Sequence, residues 1–327
     1  MMPGHLLIQE LSRRIDEVLS ALIPARARCA LLDYPRYGNL GDCAIWLGEI
    51  CWLRRRGVEL VHTGALHSAA ARTLARRLGD DGIILLSGGG NFGDLYPAHQ
   101  REREALIAAF PRQRLIQLPQ SLWFDRDEPR DRARAVLSSH RRLTILCRDR
   151  QSMDCARSLG VPAALCPDLA LALGPLPRGP APDLETLWLW RTGAEAYGRA
   201  PIVGPGSAVC DWSAIDRRIL ARTRNALDRI AAAGLGGVMA AIDHGVAARR
   251  VRAGCRLLSR ARVVVTNRLH AHVLSLLMGI PHVVLDNSYG KIRRFYDAWI
   301  RPSPLVQWAD TPAEAWALVS RERSAAG

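Results

Sequence analysis

Short apolar runs alternate with amphipathic segments along the first half of the chain, and glycine-rich or polar loops separate them. The run 29–34 leads through the loop 37–42 into an amphipathic segment at 43–56, 57–62 leads into 66–78, and 82–87 passes through the glycine loop 88–94 into 98–109. Two further pairs follow, 114–119 into 128–140 and 143–147 into 149–159. Strand-length runs alternating with helix-length segments predict βαβ units, hence a parallel sheet covered on both faces. Residues 173–182 (LGPLPRGPAP) hold four prolines and continue neither a helix nor a central strand, so 173–183 reads as a linker. Beyond it the alternation restarts: strand 184–190, a long helix near 213–233, strand 237–242, helix 246–260, strand 261–266, helix 269–278, strand 282–286 and a C-terminal helix near 312–323. The expected fold class is α/β, with a first parallel-sheet domain over 1–172 and a second over 184–327 facing it across a cleft. Ligands of open parallel sheets bind beyond the carboxyl ends of the strands, which directs attention to the loops after each strand.

Composition narrows the function class. At 327 residues the chain is long enough for about two cores of its own, and 49% hydrophobic residues against 23% charged exclude a disordered protein. The formal charge of +14 favours anionic partners, and nearly all of it is arginine, since Lys291 is the single lysine. The arginines are scattered over helices, and aromatics total only 6%, which argues against nucleic acid as partner. The eight cysteines form no C-x-x-C pair and sit mostly in apolar stretches, as in a protein of the reducing cytoplasm. The N-terminal segment has helical spacing and no uninterrupted apolar core, unlike a signal peptide. The least charged stretch, 269–285, holds three histidines and a Gly279–Pro281 break and is unsuited to crossing a bilayer.

Two loops after strands share the pattern Asn-x-Gly-Asp: Asn39-Leu40-Gly41-Asp42 and, within Gly88-Gly89-Gly90-Asn91-Phe92-Gly93-Asp94, the second copy. Glycine fills tight turns and Asp caps helices, which accounts for one such loop. Two matching loops at sheet ends, each leading toward a helix whose first N–H groups are unpaired, point to an anion cradle. Neither fits G-x-x-x-x-G-K-[ST] or G-x-G-x-x-G, so a P-loop ATPase or a dinucleotide-binding protein is not expected. Pro119-Gln120-Ser121, Arg148-Asp149 and Cys166-Pro167-Asp168 end further strands, and Asp149 with Ser152 three residues on also suits a helix cap. Thr266-Asn267-Arg268-Leu269-His270-Ala271-His272 places a fixed cation and a titratable ring together at the mouth of the second sheet. A buried structural histidine is the competing account of His270. The two histidines lie two apart on a helix and face different ways, so they are not a metal pair. Asp286-Asn287-Ser288-Tyr289-Gly290-Lys291 follows the last strand at the same cleft.

Taken together, GNLGD, GGGNFGD, PQS, RD-x-x-S, PD and TNRLHAHVLSLLMGIPHVVLDNSYGK resemble the polysaccharide pyruvyl transferase family, in particular its branch in bacterial exopolysaccharide biosynthesis. The resemblance spans roughly residues 30–300 with the motifs in family order. It implies two Rossmann-like domains in a glycosyltransferase-B-like arrangement, phosphoenolpyruvate as donor substrate with no cofactor or metal, and a sugar or lipid-linked oligosaccharide as acceptor. A lipid-linked acceptor implies in turn peripheral contact with the inner face of the cytoplasmic membrane. By the same resemblance Arg268 and His270 are donor-site residues and Arg148 a further donor-anion ligand. The resulting expectation makes His270 the catalytic acid and base. Arg268, Arg148, Asn39, Gly41, Asp42, Gly89, Gly90, Asn91 and Lys291 are the donor-binding set, with Asp94, Gln120, Asp149 and Asp286 in support. A nucleotide-sugar glycosyltransferase and a non-catalytic polyanion binder are the alternatives. The first needs a nucleoside-binding carboxylate in the second domain that the sequence does not display.

Overall fold

The computed structural model describes residues 3–66, 70–179, 181–191, 200–219, 236–301 and 303–325. Two parallel sheets, of seven and five strands, organise them. The first half runs α1 (Gly4–Leu22), β1 (Arg28–Leu32), α2 (Leu40–Arg55), β2 (Glu59–Thr63), α3 (Ala71–Leu78), β3 (Ile83–Leu86), β4 (Gly89–Gly93) and α4 (Pro97–Ala109). It continues with β5 (Arg114–Trp123), α5 (Asp127–Ser139), β6 (Leu143–Cys147), α6 (Arg150–Ser158), β7 (Ala163–Leu165) and a 3-10 turn at Leu169–Leu173. The second half has β8 (Leu184–Leu189), β9 (Ser207–Cys210), a helical segment over 213–219, α7 (Gly236–Ser259), β10 (Ala261–Thr266) and α8 (Leu269–Leu277). After these come β11 (His282–Val284), α9 (Lys291–Phe295) running into a π-turn at Tyr296–Ile300, β12 (Val306–Trp308) and α10 (Pro312–Ala325). Among the described residues no helix is long and apolar enough to cross a membrane.

The strand orders are β2-β1-β3-β5-β6-β7, with β4 also on β5, and β12-β11-β10-β8-β9. In the first sheet the chain turns one way from β1 to β2 and the other way from β1 to β3. In the second, β8 lies between β9 and β10 in the same sense. Each sheet is thus a doubly wound, Rossmann-like unit with a switch point where neighbouring loops diverge. The loops at 33–39 and 87–88 flank the first switch point, and those after β8 and β10 flank the second.

Two expectations need correction. Residues 237–242 are not a strand, and the break before 246 does not exist: one continuous helix, α7, covers both. A short apolar run has no period that separates a buried strand from a helix, and Val-Met-Ala-Ala-Ile carries enough helix-forming Ala and Met for the helix to extend through Gly245. The glycine segment 88–94 is not a free loop either, since Gly89–Gly93 pairs with Gln120–Trp123 as β4. β5 is accordingly longer than its apolar run. It pairs with β3 through Gln117 and with β4 from Gln120, so Pro119, which has no N–H, falls where the ladder changes partner. The helix expected at 213–233 is seen over 213–219, and the rest of it lies outside the described residues.

A single apolar cluster joins the two sheets. It includes Leu31, Ile83, Leu85, Ile116 and Leu146 from the first sheet and Leu187, Leu189, Val264 and Val284 from the second. Between them lies α2, buried on nearly every side through Leu40, Cys43, Ala44, Ile45, Trp46, Ile50, Trp52 and Leu53. The apolar stripe of α1 closes the cluster, fastened by Trp52 Nε1 donating to Asp16 Oδ1 at 2.6 Å. A separate cluster fills the outer face of each sheet. The polar opening is therefore confined to the carboxyl ends of the strands.

Candidate functional site

A cavity of about 750 Å³ opens at those carboxyl ends, lined from both sheets. On the first-sheet side, Asn39 caps α2: its Oδ1 accepts from Gly41 N (3.0 Å) and its Nδ2 donates to Asp42 Oδ2 (2.7 Å), an oxygen that also accepts from the Tyr37 hydroxyl (2.8 Å). The second half contributes to the same helix end, because Leu40 N donates to Asp216 Oδ2 at 3.0 Å. Asn91, on β4, has its Oδ1 held by Arg103 Nη2 (2.6 Å) and Gln120 Nε2 (3.1 Å), which leaves its amide nitrogen for the cavity. Arg103 is fully buried and reaches Asp33 Oδ2 at 3.3 Å, while His99 Nε2 lies 2.7 Å from Asp33 Oδ1. Asp33 sits at φ +76°, an uncommon conformation that Asp tolerates better than most residues and that turns its carboxylate under this network.

Two cations converge on Gly90. A Cβ there would sit 2.9 Å from Arg148 Nη2 and 3.7 Å from Lys291 Nζ, so the bare backbone admits both. Arg148 is 1% exposed; its Nε donates to Ser121 Oγ (2.9 Å) and its Nη1 to Asp168 Oδ2 (2.6 Å). Lys291 comes from the second half, at the start of α9, with its ammonium 5.2 Å from the centre of the Tyr289 ring. Across the cavity Arg268 stands at the N-cap position of α8. Its Nη2 donates to Asp211 Oδ1 (2.5 Å) and its guanidinium lies over Trp212 at 5.5 Å. Burial lowers the pKa of Arg268, partly offset by Asp211. Beside it, Asn267 accepts from Arg191 N at 2.6 Å, and its buried Nδ2 has no hydrogen-bond partner among the described residues.

His270 lies between these groups. Its Nε2 is 3.4 Å from Asp168 Oδ2, the same oxygen that Arg148 holds. Its other face lies on α2, where a Cβ on Gly41 would come within 2.3 Å of Nδ1. Gly41 thus makes room for the ring, and the role its position supports is packing. Burial pushes the Asp168 carboxyl upward, but His270 and Arg148 outweigh it and hold that group far below the ordinary carboxylate range.

Of the residues singled out from sequence, Arg148, Arg268, His270, Lys291, Asn39, Asp42, Gly90 and Asn91 line this cavity. Gln120 stands behind Asn91, and Gly89 carries the positive φ of +143° that starts β4. Asp149 caps α6 through Ser152 N (2.8 Å) and also accepts from Ser121 Oγ (3.1 Å), the hydroxyl that holds Arg148 Nε, so it stands behind Arg148. Two carboxylates are spent elsewhere. Asp94 accepts from the backbone of Asp125 (3.0 Å) and Arg126 (2.9 Å). Asp286 accepts from Ile292 N (3.2 Å) and Arg293 N (3.3 Å) at the start of α9. Sequence reasoning passed over Asp211, Trp212, Arg191, Asn267 and His99. Asp211 and Trp212 follow β9, an edge strand of four residues too short to announce itself, whereas Asn267 adjoins Arg268 and was discoverable by its place at a strand end.

The profile of the family described as Polysaccharide pyruvyl transferase matches residues 39–289. Pyruvyl transferase 1 of Schizosaccharomyces pombe is 33% identical over 295 residues, covering 84% of this chain and 70% of that protein. EpsO of Bacillus subtilis, a pyruvyl transferase by provisional assignment, is 32% identical over 312 residues, covering 92% of this chain and 94% of its own. Among solved structures, a functionally uncharacterized protein from Klebsiella pneumoniae superposes with a TM-score of 0.61 at 15% identity, over 92% of this chain and 99% of that one, and shares the fold. With three quarters of its length inside the family match and both sheets contributing to one cavity there, the chain belongs to the polysaccharide pyruvyl transferase family.

Proposed function

We propose that the chain transfers the pyruvyl group of phosphoenolpyruvate onto two hydroxyls of a sugar, free or on a lipid-linked oligosaccharide, forming a pyruvate ketal for exopolysaccharide. The observation that carries the reading is the placement of Arg148 and Lys291 on one side and Arg268 on the other of a cavity with His270 between them. Phosphoenolpyruvate carries a carboxylate and a phosphate on one small frame, and two anionic groups so close need several cations and N–H donors together. The amide nitrogens of Asn91 and Asn267 add neutral donors, one on each side of the cavity.

The chemistry then divides among these groups. The donor methylene takes a proton and becomes a methyl group, while the first sugar hydroxyl bonds to the central carbon. The bond from that carbon to the phosphate oxygen breaks, phosphate leaves, and the second hydroxyl closes the ketal. Of the two hydroxyl protons, one ends in the methyl group and the other on inorganic phosphate, so no redox partner is needed. His270 gives the first proton and recovers one as the ring closes. Arg148, Lys291 and Arg268 hold the anion and draw off charge as phosphate departs.

Incubation with phosphoenolpyruvate and candidate lipid-linked oligosaccharides tests the reading, with phosphate release and the mass of the product followed together. Stoichiometric phosphate and ketal are expected. Turnover of a nucleotide-sugar donor in place of phosphoenolpyruvate would overturn it.

A further inference from the structure

One carboxylate oxygen serves both halves of the site. Asp168 follows β7 at the end of the first sheet and is fully buried. Its Oδ1 accepts from Ala170 N (2.9 Å), whereas Oδ2 accepts from Arg148 Nη1 (2.6 Å) and faces His270 Nε2 (3.4 Å). We propose that Asp168 is the positioning residue of the transfer site: it fixes the His270 ring with hydrogen on Nε2 and sets Arg148 at a fixed distance from that ring. The inference rests on His270 acting as the acid and base.

The tautomer follows from donor counting. An ionised carboxylate only accepts, and its neighbours Ala170 N–H and Arg148 Nη1–H both donate. The third neighbour, Nε2, fits there only as a donor, so in the neutral ring Nδ1 carries the lone pair. Nδ1 is also the nitrogen that lies against Gly41. His270 is the second residue of α8 and rests on the second residue of α2, and the Asp168 carboxylate is what its Nε2 meets. Because Asp168 belongs to the first sheet and His270 to the second, the same contact keeps the ring in register with the donor-binding cations.

Asp168→Asn tests this. Asn keeps the acceptor for Ala170 N–H but turns an N–H₂ toward Nε2 or Arg148, which favours the wrong tautomer, as in hydrolase triads. Turnover at saturating phosphoenolpyruvate should fall by about 10²–10⁴-fold, and the donor KM should change much less. Asp168→Asn combined with His270→Ala should be no slower than His270→Ala alone, because both changes disable one unit. Turnover of Asp168→Asn within about threefold of the parent, or losses that multiply in the double variant, would overturn the proposal. Nitrogen-15 NMR of the unmodified protein gives an answer that does not depend on any variant folding. A His270 ring carrying its neutral-form proton on Nε2 supports the assignment, and one carrying it on Nδ1 refutes it. Should His270→Ala retain turnover, the acid–base reading of His270 fails, while the NMR result still decides what Asp168 does to the ring.

Discussion

Replacing Gly41 by alanine isolates the geometry of the proposed acid and base from every charge in the site. Gly41 has helical backbone and no polar side chain to lose, so the change adds one methyl group. That methyl would sit 2.3 Å from His270 Nδ1, 2.8 Å from Cγ and 2.9 Å from Cβ, against an ordinary contact of 3.4 Å or more. The ring, or the first turn of α2, must shift by about 1 Å, and displacement of a reacting group by that much costs on the order of 10² in rate. Stability should respond far less. Alanine gains up to about 1 kcal/mol over glycine in a helix, and overpacking costs about 1–3 kcal/mol. The net change is therefore a shift of a few degrees in melting temperature. Phosphate release at saturating donor, measured beside a thermal melt on one preparation, separates the two effects. In a His270→Gly background all three of these contacts are gone, so Gly41→Ala should add no further loss. A Gly41→Ala protein turning over within about threefold of the parent would refute the placement of the ring as the reacting group.

Arg268→Ala should raise the phosphoenolpyruvate KM by roughly 10- to 100-fold, with Lys recovering little because it lacks the planar fork that bonds Asp211 and covers Trp212; an unchanged KM in Arg268→Ala removes the residue from the donor site. Glu49, fully buried in α2, takes hydrogen bonds from Ser87 Oγ and Gly88 N (2.7 Å each), and burial pushes its pKa up to about 8. The folded chain keeps this proton to about pH 8 while the unfolded chain releases it near 4.5, so stability from this group is full below 4.5 and declines as pH rises. Glu49→Gln should accordingly raise the melting temperature at pH 8, by roughly 2–4 kcal/mol of stability, with the gain fading toward pH 4.5; a gain independent of pH contradicts the account. His272 Nδ1 and His282 Nε2 lie 2.7 Å apart in the core, and burial pushes His282 down to about 4 and His272 well below its usual value. Both stay neutral when folded and take up protons when unfolded, so stability is full above 6.5 and is lost as pH falls toward 4. Urea denaturation should show roughly 2–4 kcal/mol less stability at pH 5.0 than at 6.5, and equal values would show the pair to be solvated.

The parallel sheets are legible in the sequence because their strands are apolar on both faces, as Cys29–Leu32, Ile83–Leu86 and Ala261–Thr266 are, and because a loop with glycine or Asn follows each. What escapes is whatever the run of apolar residues does not mark. β4 is Gly-Gly-Asn-Phe-Gly and becomes a strand only because β5 offers it a free ladder beyond Pro119. α7 begins with an apolar run whose neighbours, not its period, decide its form. The site divides along similar lines. Strand-end position singles out Arg148, Arg268, His270 and Lys291. It does not distinguish the Asp that shares its oxygen between two of them from Asp94, Asp149 and Asp286, which stand at equivalent ends and cap the next turn. That distinction depends on contacts between residues a hundred positions apart, and no local pattern encodes them.

The apolar cluster that joins the two sheets through α2 bears on how the protein unfolds. A helix buried by one half on one side and by the other half on the opposite side cannot lose either neighbour without exposing most of its own surface to water. The halves should therefore melt in a single calorimetric transition, with the enthalpy expected for the whole chain. A fragment ending near residue 172 would carry α2 with Leu40 and Cys43, which meet Gly254 and Arg250 of the second half, uncovered, and should aggregate when produced alone. The two sheets are separate in hydrogen bonding and one in cooperativity, so a substitution deep in either half should lower the thermal midpoint of both.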